Sequence, residues 1–422
     1  MKNKRILLIS PQPFFQWRGS PIRVKFNLLA LTDLGYQIDL LTLPIGDDQE
    51  INRVRVYRVA NPFRVKNIPI GPSFWKLFFD VLIFLKAISL CLQNRYDVIH
   101  GIEEAGFFAA VLGKLFRVKA IYEKHSDPIS YKGGRIKNII LNAYAAIEKI
   151  SARMARAVIC TGPGLVDQVN AMKTGTRAFN IADIPSSLME PSAVDIQATR
   201  GKLLQNHDDV LITFVGSFAI YQGVDLMFAA IPKVVKNNER ARFVIIGGNP
   251  EEIAKNRNVL IEQGVAAHVT FLGKIAPDIL PDYLAASDIL LSPRVSGSNT
   301  PLKILDYMKA GRSIVATDVV SHRLLLDEQT AVFAPPEPES LARSIILLVN
   351  DEKMREQLGN ACRKQYETTF TFNHLCARLA RCYEYVLSSS NLGVVPKVLQ
   401  IVFIVFFSEV SSNIAMELMS ND

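Results

Sequence analysis

Short apolar runs alternate with stretches of helical spacing along almost the whole chain. Arg5–Ser10 and the runs 37–43, 53–59, 97–101, 118–123 and 157–161 predict buried strands. A loop, Pro11–Gly19, precedes a helix with Ser20 as N-cap and Pro21 in its first turn, ending at Gly35. The rhythm lapses over 186–206, in Ser-Ser-Leu-Met-Glu-Pro-Ser and a polar run, which predicts a linker. It restarts with Val210–Val215, Gly216 and a helix opening near Gly223, followed by strands at 242–247, 269–272, 288–292, 313–317 and 331–333. The segments 337–349 and 352–387 read as helices. This is the alternation of an α/β protein with parallel sheets. The expected division is a first domain 1–187, a linker 188–206, a second domain 207–372, a C-terminal helix 373–390 and a tail 391–422 of unassigned structure.

One loop and helix break the local rules. In Arg294-Val-Ser-Gly-Ser-Asn-Thr-Pro-Leu-Lys303, Thr300 is a good N-cap, Pro301 suits the first helical position, and Gly311 stops the helix. Lys303 then takes the third helical position, where the macrodipole is positive and a cation costs roughly 0.3–1 kcal/mol. A phosphate between lysine and backbone N–H groups turns that cost into a binding site. Asp306 shares the face and is placed to hold sugar hydroxyls one turn deeper. The plain alternative is a Lys303–Asp306 surface pair worth about 0.2–0.5 kcal/mol.

Composition narrows the partners. At 422 residues, 49% hydrophobic and 21% charged, the chain is a folded protein long enough for two domains. Its net charge of +8 points to anionic partners: nucleotides, phosphorylated lipids or a membrane surface. No basic run is interleaved with aromatics, which argues against nucleic acid. Cys91, Cys160, Cys362, Cys376 and Cys382 form no C-x-x-C pair, and His207, His268, His322 and His374 are scattered, so neither disulfides nor a metal site is expected. The first strand begins at Arg5, leaving no room for a signal peptide, and the expectation is a cytoplasmic chain. Residues 74–92 are long and apolar, but Lys76, Asp80 and Lys86 interrupt them. A core or interfacial helix fits better than a membrane span, with both lysines able to snorkel from a membrane face. The run 398–407 is too short to span.

The motifs resemble those of the family 4 glycosyltransferases of the GT-B fold over about residues 5–385. In the second half Phe214-Val-Gly216 through Gly223-Val-Asp225, Phe243–Gly248, Val269-Thr-Phe-Leu-Gly273, Ala285-Ala-Ser-Asp288 and Thr300–Asp318 follow the family's order. In the first half the match is looser: Gly19-Ser20-Pro21, Asp97-Val-Ile-His100 and Tyr122-Glu-Lys-His125. The resemblance implies two Rossmann-like domains facing across a cleft, with C-terminal helices packing back toward the first domain. It implies a retaining, metal-independent transfer of a hexose from a UDP- or GDP-linked donor, a substrate rather than a cofactor, to a glycan or lipid-linked acceptor. The expected setting is surface polysaccharide synthesis, peripheral on the inner face of a membrane. His125 and Lys303 would be catalytic. Gly216, Ser217, Gln222, Arg294, Ser298, Asn299, Thr300, Pro301, Lys303 and Asp306 would hold the donor, and Gly19, Ser20 and Pro21 the acceptor.

This chain departs from the family pattern in three places. Ser298 stands for the first of two acidic residues, and Asp306 is a shortened stand-in for the second. Ser217 and Gln222 stand where the family has an Arg and a Lys that grip the diphosphate, a load that Lys303 and Arg294 would take over. Two other classes compete: a sugar-nucleotide epimerase, which needs a carboxylate cluster for proton abstraction that His125 lacks in sequence, and a non-catalytic sugar-nucleotide-binding scaffold.

Overall fold

A computed structural model describes residues 4–68, 73–126, 135–204, 206–297 and 300–388. Ser298, Asn299 and the tail 391–422, with its apolar run 398–407, lie outside the described residues. The first sheet comprises β1 (Arg5–Ser10), β2 (Gln37–Thr42), β3 (Val54–Arg58), β4 (Val98–Ile102), β5 (Lys119–Lys124), β6 (Ala157–Cys160) and β7 (Arg177–Asn180). Its order is β3-β2-β1-β4-β5-β6-β7, parallel throughout. The second comprises β8 (Val210–Val215), β9 (Ala241–Ile246), β10 (Val269–Gly273), β11 (Ile289–Ser292), β12 (Ser313–Thr317) and β13 (Ala331–Ala334). It runs β10-β9-β8-β11-β12-β13, also parallel.

Helices cover both faces of each sheet. The first domain carries α1 (Gly19–Asp33), α2 (Phe74–Gln93), α3 (Ala105–Leu115), α4 (Arg135–Met154) and α5 (Pro163–Ala171). The second follows α6 (Ala193–Leu203) and carries α7 (Val224–Asn237), α8 (Pro250–Glu262), α9 (Leu280–Ala286), α10 (Leu302–Ala310), α11 (Val320–Arg323), α12 (Pro338–Asn350) and α13 (Glu352–Thr369). A last helix, α14 (Phe372–Ser388), returns to the first domain. Burial on both faces is why β1 reads as an unbroken apolar run. Ile6 and Leu8 pack with α1 and α14, while Leu7 and Ile9 pack with α2 and α3. Each such side chain contributes about 1.5–3 kcal/mol by leaving water.

Four features differ from the sequence reading. The expected linker contains α6, capped where Ser192 Oγ accepts from Asp195 N at 3.2 Å and packed against α9. The expected helix 352–387 is two, broken between Thr369 and Phe372, and the break turns α14 toward the first domain. Strand β7 went unread because only Ala178 and Phe179 of its four residues are apolar. Finally, α2 forms as expected, with Ser73 Oγ accepting from Lys76 N, but Lys76 is not a snorkelling residue. It is largely buried, paired with Asp80 at 2.6 Å and with Glu104. Phe79, Ile83 and Phe84 are core, whereas Phe74, Leu77, Leu85 and Leu92 line an exposed apolar face. Among the described residues no helix is long and apolar enough to cross a membrane.

In each sheet the strand order reverses beside the first strand of that domain, at β1/β4 and β8/β11. Open parallel sheets bind ligands outside the carboxyl ends of their strands at such points. The loops leaving those four strands carry Gly19, Glu103, Gly216 and Arg294.

Candidate active site

The first-domain half of the site is organised by a carboxylate inside a strand. Glu123 on β5 is fully buried. Arg23 Nε donates to its Oε1 at 2.5 Å, and Asn27 Nδ2 donates to both oxygens, at 3.1 and 2.9 Å. Arg23 and Asn27 lie four residues apart on α1, so one helix face presents both. Arg23 also reaches Asp183 at 2.9 Å. His100 Nε2 lies 2.8 Å from Glu123 Oε2, and its Nδ1 meets Tyr383 OH of α14 at 2.8 Å. His125 Nε2 stands 2.8 Å from Glu123 Oε1. Burial opposes ionisation of Glu123, but the Arg23 charge and the bonds from His100 and His125 hold it well below the usual carboxylate range.

His125 follows β5, as the sequence predicts, at the carboxyl end of the sheet. Burial disfavours its charged ring, yet the bond to Glu123 and the charges of Glu123 and Glu103 prevail, and its pKa is raised. Its Nδ1 faces Ser20 Oγ at 3.2 Å, and its backbone N–H donates to Glu103 Oε1 at 3.1 Å. Ser20 is not the N-cap. Helix α1 starts at Gly19 after Arg18, so the Ser20 hydroxyl faces His125 instead of the helix end. Pro21 is buried beside it, and a Cβ added at Gly19 would meet nothing within 4 Å.

The second half is a glycine loop under a lysine. After β8, Gly216 leads through a 3-10 turn, Ile220–Gln222, to Gly223 at φ +69°. A Cβ on Gly223 would stand 1.8 Å from Pro293 O, so only glycine fits. Helix α10 begins at Leu302, with Pro301 rather than Thr300 as N-cap. Lys303 is therefore the second helical residue rather than the third. Its Nζ donates to Gln222 Oε1 at 2.7 Å and lies 4.5 Å from the centre of the Phe214 ring. A Cβ on Gly216 would stand 3.1 Å from that Nζ. Burial, then the charge of Arg294, pushes the Lys303 pKa down to about 7. Among the described residues no carboxylate pairs with it.

Arg294 is buried, its Nε donating to Ser296 O at 2.6 Å and its guanidinium 5.4 Å from the Tyr221 ring centre. Ser217 is exposed. Nearby His322 is held neutral: burial pushes its pKa down to about 4, with Lys303 and Arg294 adding to the fall. Its two ring nitrogens are bonded to Ser292 Oγ and Thr317 O, a structural role.

Asp306 does not pair with Lys303, so the surface-pair alternative fails. Its Oδ1 accepts from Ser186 N at 2.6 Å and Ser186 Oγ at 3.0 Å, and burial pushes its pKa up to about 7. The chain joining the two domains thus sits directly on α10, and Lys309 Nζ holds it again at Ser187 O, 2.8 Å away. A Cβ added at Gly162 of the first domain would come 3.7 Å from Thr300 Oγ1, so the two halves meet at the cleft. Among the described residues no cluster of His, Cys, Asp and Glu is arranged for a metal ion.

Sequence reasoning missed Glu123, Arg23, Asn27 and Tyr383. An acidic residue directly after the apolar run Ala120-Ile121-Tyr122 was the available signal for the first of these.

Two parallel sheets whose carboxyl edges share one cleft define the GT-B class. Residues 209–351 match the family described as glycosyl transferases group 1, and residues 25–180 match the glycosyl transferase 4-like domain. The chain belongs to the family 4 glycosyltransferases of the GT-B fold. It is 24% identical over 388 residues to an uncharacterized glycosyltransferase, MJ1607, of Methanocaldococcus jannaschii, covering 87% of this chain and 95% of that one. It is 23% identical to the phosphatidyl-myo-inositol mannosyltransferase of Mycolicibacterium smegmatis, covering 90% and 94%. Sucrose-phosphate synthase of Thermosynechococcus elongatus superposes with a TM-score of 0.74 at 20% identity, covering 92% of this chain and all of that one. The Anabaena protein HepE, in complex with UDP and glucose, superposes at 0.67 with 15% identity, covering 90% and 99%. At such identities the solved structures show the fold.

Proposed function

We propose that this glycosyltransferase is a retaining, metal-independent hexosyltransferase that moves a sugar from a UDP- or GDP-linked donor to a hydroxyl of a glycan or lipid-linked acceptor. The carrying observation is Lys303: a half-buried lysine with no carboxylate partner among the described residues, at a helix N-terminus, over the Gly216 loop. A diphosphate there supplies the missing negative charge. The α10 N-terminus offers backbone N–H groups, Gly216 leaves the space beside Lys303 Nζ free of a side chain, Arg294 offers a planar donor fork, and Gln222 and Thr300 are neutral partners, with Ser217 and Pro301 flanking them; the roles expected of Ser298 and Asn299 in holding the donor stay part of the proposal. Both Ser186 bonds go to Asp306 Oδ1, so Oδ2 is the atom for a ribose hydroxyl.

In the reaction the C1–O bond to the diphosphate breaks, and the charge that develops on it is met by groups already in place. The acceptor oxygen bonds C1 from the same face, and its proton passes to a phosphate oxygen of the leaving group. The open space before Gly19, with Ser20 and Pro21 behind it, would admit the acceptor. His125, fixed by Glu123 and Ser20, would bond the donor sugar near the reacting carbon. Domain closure would exclude water and limit donor hydrolysis.

Relatives named for mannosyl or N-acetylglucosaminyl transfer to phosphatidylinositol favour a lipid-borne acceptor for this chain, alongside surface glycans. The exposed face of α2 suits docking on an anionic bilayer. Residues 1–187 carry 26 Lys and Arg against 14 Asp and Glu, while the rest carries 22 against 26. The basic half is the half that bears the apolar face.

A panel of sugar nucleotides in thermal-shift assays tests the donor, because a ligand at 100 times its dissociation constant stabilises by about 2.7 kcal/mol. Acceptor-dependent release of nucleotide tests the transfer. Binding without release in the presence of glycan and lipid acceptors would leave a sugar-nucleotide-binding scaffold, and conversion of the donor sugar alone would leave an epimerase.

A further inference from the structure

The first crossing between the two domains has almost no slack. Ile181 N donates to Cys160 O at 2.9 Å, and Ile181 and Ile184 are buried in the core of the first domain. Ser186 and Ser187 already belong to the second. Ser186 bonds Asp306 twice, and Lys309 Nζ holds the carbonyls of Ser187 and Met189 at 2.8 and 2.5 Å. Pro185, itself buried, is the residue between the two anchorages. Proline fixes its own φ and keeps the residue before it extended, so this joint passes a displacement on instead of absorbing it.

Asp183 lies in that joint, two residues before Pro185. Its Oδ1 accepts from Arg23 Nη1 at 2.9 Å, and Arg23 is buried. The same guanidinium donates through Nε to Glu123 Oε1, the oxygen that faces His125 Nε2 at 2.8 Å. Arg23 thus divides its donors between a carboxylate of the sheet and a carboxylate of the crossing. Its remaining nitrogen, Nη2, is buried and has no hydrogen-bond partner among the described residues. A planar fork with one arm empty, beside a carboxylate gripped through a single oxygen, has two arrangements: Asp183 on Nη1 alone, or across Nη1 and Nη2. Each gives the guanidinium a different tilt, and Glu123 Oε1, bonded to its Nε, moves with it. His125 is the next group in that line.

We infer that Asp183 is a positioning residue for the transfer: through Arg23 it sets how Glu123 holds His125, and through the Pro185 joint it makes that setting depend on what occupies Asp306. The second half rests on the reading of Asp306 as the ribose contact, and the first half does not. Coupling of this kind requires one connected set of contacts with two arrangements, and the Asp183–Arg23 fork supplies it.

The test uses the full chain, with the His125 ring nitrogens observed by NMR and assigned by their loss in His125→Gln. Parent and variants are compared below their melting transitions. In the free protein Asp183→Asn should displace the His125 signals, and Asp183→Glu, which keeps the charge, should largely restore them. UDP and GDP are then added in turn, with binding followed by calorimetry on the same samples. In the parent, the nucleotide that binds should displace the His125 signals further. In Asp183→Asn it should still bind and yet leave them nearly still. His125 signals that Asp183→Asn does not move in the free protein overturn the inference. Signals that respond to bound nucleotide equally in parent and Asp183→Asn overturn its second half, the link to Asp306. Should neither nucleotide bind the parent, the donor reading fails instead, and the free-protein comparison decides the role of Asp183.

Discussion

Lys303 Nζ donates to Gln222 Oε1 at 2.7 Å, so the glutamine standing where the family has a lysine is now a partner of the remaining lysine. A neutral acceptor positions the ammonium without cancelling its charge. Replacing Lys303 by Ala should therefore cost donor affinity, not stability. Calorimetry should show a loss of about 1.5–3 kcal/mol in binding of the preferred nucleoside diphosphate, with an unchanged or higher melting temperature. Equal affinity in the variant would remove Lys303 from the site.

The lowered pKa of Lys303 makes binding proton-linked. The unfolded lysine keeps its proton up to its ordinary 10.5, the folded one only to about 7. Between those values the unfolded chain binds more protons, so this residue makes the free protein more stable as pH rises across that window. A bound diphosphate restores the proton. At pH 8, titrations in buffers of different ionisation enthalpy should report net proton uptake, and Lys303→Ala should abolish it.

Asp306→Asn should preserve the fold, since one amide oxygen still accepts from Ser186. Free nucleoside diphosphate should bind more weakly, because a neutral amide holds a ribose hydroxyl less strongly than a carboxylate does. Measured with inorganic pyrophosphate, which carries no ribose, the loss should vanish. A loss that persists there would assign Asp306 to packing the linker.

Glu123→Gln leaves Arg23 buried with its main charge partner gone, a change that costs about 3–5 kcal/mol in comparable pairs. The sign with pH follows from the lowered Glu123 pKa: its stabilisation is full above the ordinary carboxylate value and fades as pH falls through the folded one. His125 runs the other way. Its raised pKa stabilises below its ordinary 6.5 and loses that contribution as pH climbs through the folded value. Denaturant unfolding at several pH values should show the acid-side decline flattened in Glu123→Gln.

For the membrane, the residues to change are Phe74, Leu77 and Leu85, each nearly half exposed. Replacing all three with Ser should abolish co-sedimentation with anionic vesicles at low salt and leave melting unchanged. Changing Trp75, Phe78 and Phe79 would instead damage the core, as Phe79 is fully buried. A parent protein that stays in the supernatant would favour a soluble acceptor.

The alternating strands and helices were legible because parallel strands covered on both faces need unbroken apolar runs, as in β1 and β12. Lys303 was legible because a cation in the first helical turn breaks a local rule. Strand β7, at the sheet edge, lacked that apolar signal. The helix α10 start was misplaced by one residue, since Thr300-Pro301 carries the composition of a cap and first helical residue, whereas Pro301 itself is the N-cap. The Glu123 network stayed hidden for a different reason. Its partners come from positions 23, 27, 100 and 125, brought together by the sheet, and no local spacing encodes that meeting.

Helix α14 is made after both sheets, yet Leu375, Leu379, Cys382, Tyr383 and Val386 complete the core around Ile6, Leu31 and Tyr36. Tyr383 also holds His100 at the edge of the Glu123 network. During synthesis the first sheet must therefore wait, with a groove of apolar side chains open, until the second domain has been translated. The two halves of the chain are separate sheets but not separate folding products. Cutting between them would leave a first domain lacking part of its own interior.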